Sequence, residues 1–354
     1  MIKHKMRSSN IEFLRILLII MVIGLHYNAA SLGNAFQYTQ TNGINVSLTH
    51  LIESFMIMSV DTFLIITGYF LSTKKTINKS KIIEIIILLL VLKLILYLID
   101  VIFYGTKINL HNFIQELLSG NWYITKYLIL YMFSPYINKL LNSLNKKEYK
   151  TLIFITISIF LLLPFVLNIL STFFYVNGWA PATDNIDDSG YTIVNFFVMY
   201  LIGAYLRKER IELKLKDSFL GYVGCAIVVF LIYYIMTKIG YNNIASMAFR
   251  YNNIFVILEA IFIFLFFNQL NISNNKIINT ISSTTLSIFI IHTSTPFIKL
   301  YSILKVQKYC ITKYLIPHFI TTILILFILS LIIGLVTITI LNKTIYKVTR
   351  EKIN

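Results

Sequence analysis

Ten residues separate Arg15 from His26 in the otherwise greasy stretch NIEFLRILLIIMVIGLHYN (10–28). The two side chains suit different chemistry. An imidazole titrates near neutral pH and can take a proton from a reacting group. A guanidinium is a permanently charged, planar fork that fits phosphate and carbonyl oxygens. If 10–28 is a helix, eleven steps of about 100° leave both residues on one face, about 16 Å apart along the axis. Glu12, one turn before Arg15, can partner it. Singly, Arg15 could be a snorkelling anchor and His26 a histidine hydrogen-bonded at an interface. Together they make a polar stripe, and a polar stripe on a membrane helix has to face protein or water.

A second stretch, HLIESFMIMSVDTFLIITGYFLS (50–72), carries Glu53 and Asp61. Antiparallel packing against the first helix would bring Glu53 to the depth of His26. There a carboxylate would fix the imidazole tautomer and raise its basicity. The alternative is that both acids pair with Lys93 or Lys126 to hold a bundle together. Trp122, Tyr127 and Tyr131 form an aromatic stripe with Lys126 between them, His292 closes an apolar run, and His318 opens another. The segment YVNGWAPATDNIDDSGY (175–191) offers Trp179, Asp184, Asp187 and Asp188 without a basic residue. Aromatic, amide and acid groups suit sugars, although an ordinary solvated loop has the same composition.

The elements that hold these residues must be membrane helices. Of 354 residues, 57% are hydrophobic and 13% charged, about half the usual charged share of a soluble protein. Ten apolar windows follow one another: 11–30, 49–72, 82–103, 122–141, 151–172, 191–207, 218–238, 252–270, 277–298 and 315–342. The expected fold is therefore all-α, a polytopic integral membrane helical bundle of about ten transmembrane helices. It is expected to be one domain, 1–354, without a separate soluble domain. The first window is expected to be a retained span, since Lys3, Lys5 and Arg7 precede it without a small-residue cleavage site. Neither internal repeats nor paired broken helices of the transporter kind stand out.

A net charge of +16 would suggest nucleic acid for a soluble chain, but here position matters more than sum. With ten spans, 21 of the 31 lysines and arginines fall on the side of the termini and seven on the other. That asymmetry places both termini in the cytoplasm of a multi-pass plasma-membrane protein. Two lone cysteines, Cys225 and Cys310, offer neither a disulfide framework nor metal spacing, and no metal is expected.

These pieces occur together, and in this order, in a known family. The chain resembles the integral membrane acyltransferase family 3, whose bacterial members modify cell-surface polysaccharides. The likeness rests on the Arg15–His26 spacing, SVDTFLIITGYFL (59–71), NWYITKYLILYMFSPYIN (121–138) and SSTTLSIFIIHTSTPF (282–297). Thr67 stands where serine is usual and Phe289 where tyrosine is common. Lys74 and Lys75 replace arginines found after the second span in many members. The resemblance implies O-acyl transfer, commonly of acetyl, from cytoplasmic acyl-coenzyme A to a hydroxyl of a surface or lipid-linked glycan. It implies that Arg15 serves the donor and His26 the chemistry.

Physical chemistry agrees with those roles. A sugar hydroxyl is a weak nucleophile and needs a base poised near neutrality, for which His26, oriented by Glu53, is the candidate. The anionic donor would meet Arg15, Lys74 and Lys75. Asp61, Trp122, Tyr131 and His292 are candidate acceptor-binding residues. An exporter or flippase of a glycan or glycolipid is the rival class, because it too would need a polar stripe and a basic inner face.

Overall fold

The computed structural model describes residues 8–40, 42–118, 120–174 and 188–346. Every element in them is helical. In chain order they are α1 (Ser9–Asn28), α2 (Ala35–Thr39), α3 (Gly43–Ser54), α4 (Ser59–Leu71), α5 (Lys79–Tyr104), α6 (Leu110–Leu118), α7 (Trp122–Ser143) and α8 (Lys146–Ile157). A π-helical turn, Ser158–Leu162, joins α8 to α9 (Leu163–Phe174). There follow α10 (Ile193–Lys208), α11 (Leu215–Lys238), α12 (Asn242–Met247) and α13 (Ile254–Gln269). The last are α14 (Lys276–Ser282), α15 (Thr285–His292), α16 (Thr295–Ile303), α17 (Val306–Tyr309) and α18 (Leu315–Lys343).

Among the described residues six helical stretches are long and apolar enough to cross a membrane: Ser9–Asn28, Gly43–Leu71, Lys79–Tyr104, Lys146–Ser171, Leu215–Lys238 and Leu315–Lys343. The pair α15–α16, bent by 67°, is long and apolar enough for a seventh when its two helices are counted as one broken span. The other three apolar windows are also helical but differ in character. At 16 residues each, α10 and α13 rise about 24 Å, against a hydrocarbon core of about 30 Å. The third, α7, interrupts its apolar run with Lys126, Ser134, Pro135 and Asn138. The protein is a multi-pass, all-α membrane bundle.

The outward faces are what lipid demands. On α5, Ile86, Leu90, Leu94, Leu98 and Ile102 are exposed at every fourth position, while Ile85, Leu88, Leu92 and Leu96 are buried behind them. On α18, Ile316, Ile320, Leu324, Ile328 and Ile332 repeat the pattern. A helix that is apolar all round belongs in hydrocarbon, with its better-packed side turned to protein.

The chain divides into two compact units, neither continuous in sequence. The first comprises Met1–Thr49, Asn78–Leu128 and Asn274–Asn354. Within it α1 packs against α14, α15 and α18, and α5 packs against α15, α16 and α18. Polar groups fasten the ends. Ser9 Oγ donates to Asn279 Oδ1 at 3.1 Å and accepts from the Asn275 amide at 2.9 Å, and Ser282 donates to the Glu12 carboxylate. Lys299 on α16 meets Asp100 on α5 at 2.6 Å, with Thr106 donating to the other carboxylate oxygen at 2.6 Å. Lys93 donates to the carbonyls of Glu116 and Leu117 at 2.8 and 3.4 Å.

The second unit comprises His50–Ile77 and Ile129–Ser273. Its centre is the parallel pair α4 and α10, which cross so closely that their backbones touch. A methyl on Gly68 would collide with the Tyr200 carbonyl, and one on Gly203 with the Ile65 carbonyl. The pair α11 and α13 packs alongside, with α13 against α4.

Candidate active site

In the first unit, the far end of α1 is finished by a turn that folds back on it. The Ala29 amide donates to the Leu25 carbonyl at 3.0 Å and the Gly33 amide to the His26 carbonyl at 2.9 Å. A side chain on Gly33 would strike the Tyr27 carbonyl, so the turn requires glycine. This holds the backbone of His26 and leaves its half-buried ring free to be set by a neighbour.

That neighbour is His292. His26 Nδ1 and His292 Nε2 are 2.7 Å apart, with the rings stacked at 4.9 Å between centroids. His292 is fully buried at the last position of α15, where the helix breaks. Pro296, in the first turn of α16, has no amide hydrogen to continue α15, which ends the helix at the imidazole. His292 Nδ1 lies 2.6 Å from the Ile288 carbonyl oxygen. A carbonyl can only accept, so Nδ1 of His292 carries the hydrogen and Nε2 is its acceptor nitrogen. Nδ1 of His26 must then donate, which leaves Nε2 of His26 with a free lone pair. The tautomers follow from this chain of donors, not from observed hydrogens. The arrangement is a base held in the right tautomer by a second group that is itself held.

Aromatic rings flank the pair. Phe289 lies 6.5 Å from His26 and 5.9 Å from His292, and Tyr123 meets Phe289 edge-on at 5.3 Å. Tyr123 comes from the first turn of α7, which also presents Trp122, with Lys126 Nζ 5.3 Å above its ring. Next to His26, Tyr27 donates its hydroxyl hydrogen to His318 Nδ1 at 2.9 Å, and His318 Nε2 donates to the Leu304 carbonyl at 2.7 Å.

At the other end of α1, the Arg15 guanidinium is one-third exposed and stands 3.9 Å from Glu12, too far for a hydrogen bond. Its buried Nε–H finds no acceptor among the described residues. Glu12 is engaged by Ser282. Arg15 therefore keeps donors to offer an incoming oxygen.

Glu53, expected to orient His26, is buried in the second unit, while the partner of His26 Nδ1 within the first unit is His292. Asp61, also in that unit and fully buried, accepts from Asn195 Nδ2 at 3.0 Å, a neutral partner in place of Lys93 or Lys126. Its second oxygen, Asp61 Oδ2, has no partner among the described residues. Tyr131, further along α7, is buried in the second unit. Lys74 and Lys75 are exposed on the turn after α4. Asn138 pins that turn by donating to the Leu71 and Lys74 carbonyls at 2.8 Å each, and Tyr200 donates to Asn138 Oδ1 at 2.7 Å. Of the segment 175–191, residues 175–187, including Trp179, Asp184 and Asp187, lie outside the described residues.

Thus one pair of expected site residues, His26 and His292, is in contact. Sequence reasoning missed the Ile288 carbonyl, the Tyr123–Phe289 wall, Asn195 and Asn138. The first two could have been anticipated from the helical offset of four between Ile288 and His292 and from the aromatic run at 122–127.

Residues 8–340 match a family model described as "Acyltransferase domain". The chain belongs to acyltransferase family 3. No curated protein and no solved structure matches it. Membership of acyltransferase family 3 makes the protein a membrane acyltransferase and weighs against the exporter alternative. It also turns attention to which of these groups could carry acyl transfer.

Proposed function

We propose that the protein moves an acyl group, in the simplest case acetyl, from cytoplasmic acyl-coenzyme A to a hydroxyl of a cell-surface or lipid-linked polysaccharide. The observation that carries this reading is the chain of hydrogen bonds through Ile288, His292 and His26, which ends in a base nitrogen without a partner among the described residues. The acceptor hydroxyl gives its proton to His26 Nε2 while its oxygen attacks the thioester carbonyl carbon. The carbon–sulfur bond breaks, and the departing sulfur recovers the proton from the imidazolium. One thioester and one alcohol become one ester and one thiol. As His26 becomes positive, its Nδ1–H bond to His292 strengthens, because hydrogen bonds to charged groups are roughly twice as strong as neutral ones. His292 thus acts as the positioning residue for the His26 base.

Arg15, with an unused buried Nε–H, suits a carbonyl or phosphate oxygen of the donor. Lys74 and Lys75 would draw the anionic donor toward the same side of the membrane. In the first unit, Trp122 is proposed for the acceptor, by stacking on a sugar ring. The protein would sit in the plasma membrane with both termini in the cytoplasm, a reading that the 21 to 7 split of basic residues supports.

The test is mass spectrometry of surface polysaccharides from cells with and without the gene, grown on isotopically labelled acetate. Labelled ester groups that vanish with the gene support the reading. Identical glycans in both strains would overturn it.

A further inference from the structure

Past the crossing at Gly68 and Gly203, the ends of α4 and α10 border a cavity of about 560 Å³, all of it within the second unit. Its size is that of a ligand pocket. On one side it is walled by Tyr69 and the turn Ser72–Thr73, which leads directly into Lys74 and Lys75. On the other side stand Arg207, Lys208 and Arg210. Three cations within four residues repel one another and have to be held. Arg207 lies over the Tyr69 ring at 4.9 Å, and Lys208 donates to the Leu141 and Leu144 carbonyls at 2.8 Å each. Arg210 takes a left-handed backbone conformation, φ +50°, in the turn that ends α10. The acid that interrupts the run, Glu209, is engaged by Lys146 at 2.6 Å, and Glu212 is the one carboxylate among the described lining residues. The lining keeps a positive excess, and the close crossing above it fixes the two walls.

We infer that this cavity binds the phosphorylated nucleotide end of the acyl donor, with Arg207 and Arg210 on its phosphates. The inference rests on the reading of acyl-coenzyme A as donor. The chemistry favours it. Two guanidinium forks match phosphate oxygens in geometry as well as charge. The Asn142 and Asn268 amides and the Ser72 and Thr73 hydroxyls add hydrogen-bonding groups to the same lining. A lipid headgroup would share the phosphate but needs an apolar continuation for its chains, and this lining is predominantly polar. The cavity also gives the Lys74–Lys75 turn, held rigidly by Asn138, a ligand to face.

The experiment is calorimetric titration of coenzyme A, dephospho-coenzyme A and inorganic phosphate into purified protein in nanodiscs of zwitterionic lipid. The double variant Arg207→Gln/Arg210→Gln should weaken coenzyme A about tenfold to a hundredfold. It should raise the KM for donor and leave kcat at saturating donor unchanged. Arg207→Lys/Arg210→Lys should recover part of the loss, and Lys238→Gln, at the far end of α11, should bind like the parent. Dephospho-coenzyme A should bind the parent more weakly than coenzyme A. If the double variant does not accumulate, Arg210→Gln alone, on an exposed turn, carries the same expectation at smaller size. Undiminished coenzyme A binding in these variants would overturn the inference and leave the donor reading standing. A parent that binds no coenzyme A would overturn both. Loss of inorganic phosphate or of co-purifying anionic lipid with coenzyme A binding intact would overturn the inference in favour of a free-phosphate or headgroup site.

Discussion

Replacing His292 with alanine removes the acceptor that fixes the His26 tautomer, 2.7 Å from Nδ1. The substitution also strips the Ile288 carbonyl of its donor. Hydrogen bonds to charged groups are worth about 1.5–3 kcal/mol, and His26 is charged only once it has taken the proton. The loss therefore falls mainly on the transition state. At about 1.4 kcal/mol per factor of ten, the rate should drop about tenfold to a hundredfold. That is smaller than the loss on removing the base itself, about 10²–10⁴-fold. Because the two residues act as one unit, His26→Ala/His292→Ala should be no slower than His26→Ala alone. His292→Gln keeps an acceptor oxygen and should recover part of the rate. The assay is transfer of radiolabelled acyl groups from acyl-coenzyme A to acceptor in membrane vesicles, at matched protein levels. A parental rate in His292→Ala, or losses that multiply in the double variant, would refute the proposed coupling.

Arg15→Lys should accumulate normally yet bind acyl-coenzyme A weakly and acylate little, because lysine keeps the charge and loses the fork; donor titration in nanodiscs checks this. Gly68→Ala should lower the thermal unfolding midpoint of the purified protein, since the new methyl meets the Tyr200 carbonyl and overpacking costs about 1–3 kcal/mol. Cysteines introduced at Ser143 and Lys214 should be labelled only from the cytoplasmic side and one at Asn185 only from outside, as the distribution of basic residues requires.

The helical bundle was legible because lipid imposes long apolar runs, and each of the ten windows is helical. Arg15 and His26 were legible because an ionisable group in such a run is costly and because helical geometry relates two residues on one element. The contact between His26 and His292 was not. It joins residues 266 positions apart, and no spacing rule says which helix packs against which. Depth and carboxylate chemistry pointed to Glu53, and neither argument reaches a histidine on a helix so far along the chain. The break that ends α15 at His292 is visible in Thr295–Pro296, but its effect is to aim an imidazole, which proline by itself does not announce. The glycines at 68 and 203 carry no apolar period at all. Their part in bringing α4 and α10 together becomes visible only when the carbonyls they face are known.

The central claim is that His26 is the base of an acyl transfer to surface glycan. Its most direct test is mass spectrometry of surface polysaccharides from cells producing either the parent protein or His26→Ala at equal membrane levels. The account predicts that the gene-dependent ester groups disappear in His26→Ala while the glycan itself is still made and displayed. Ester content equal to the parent's in that variant would contradict it.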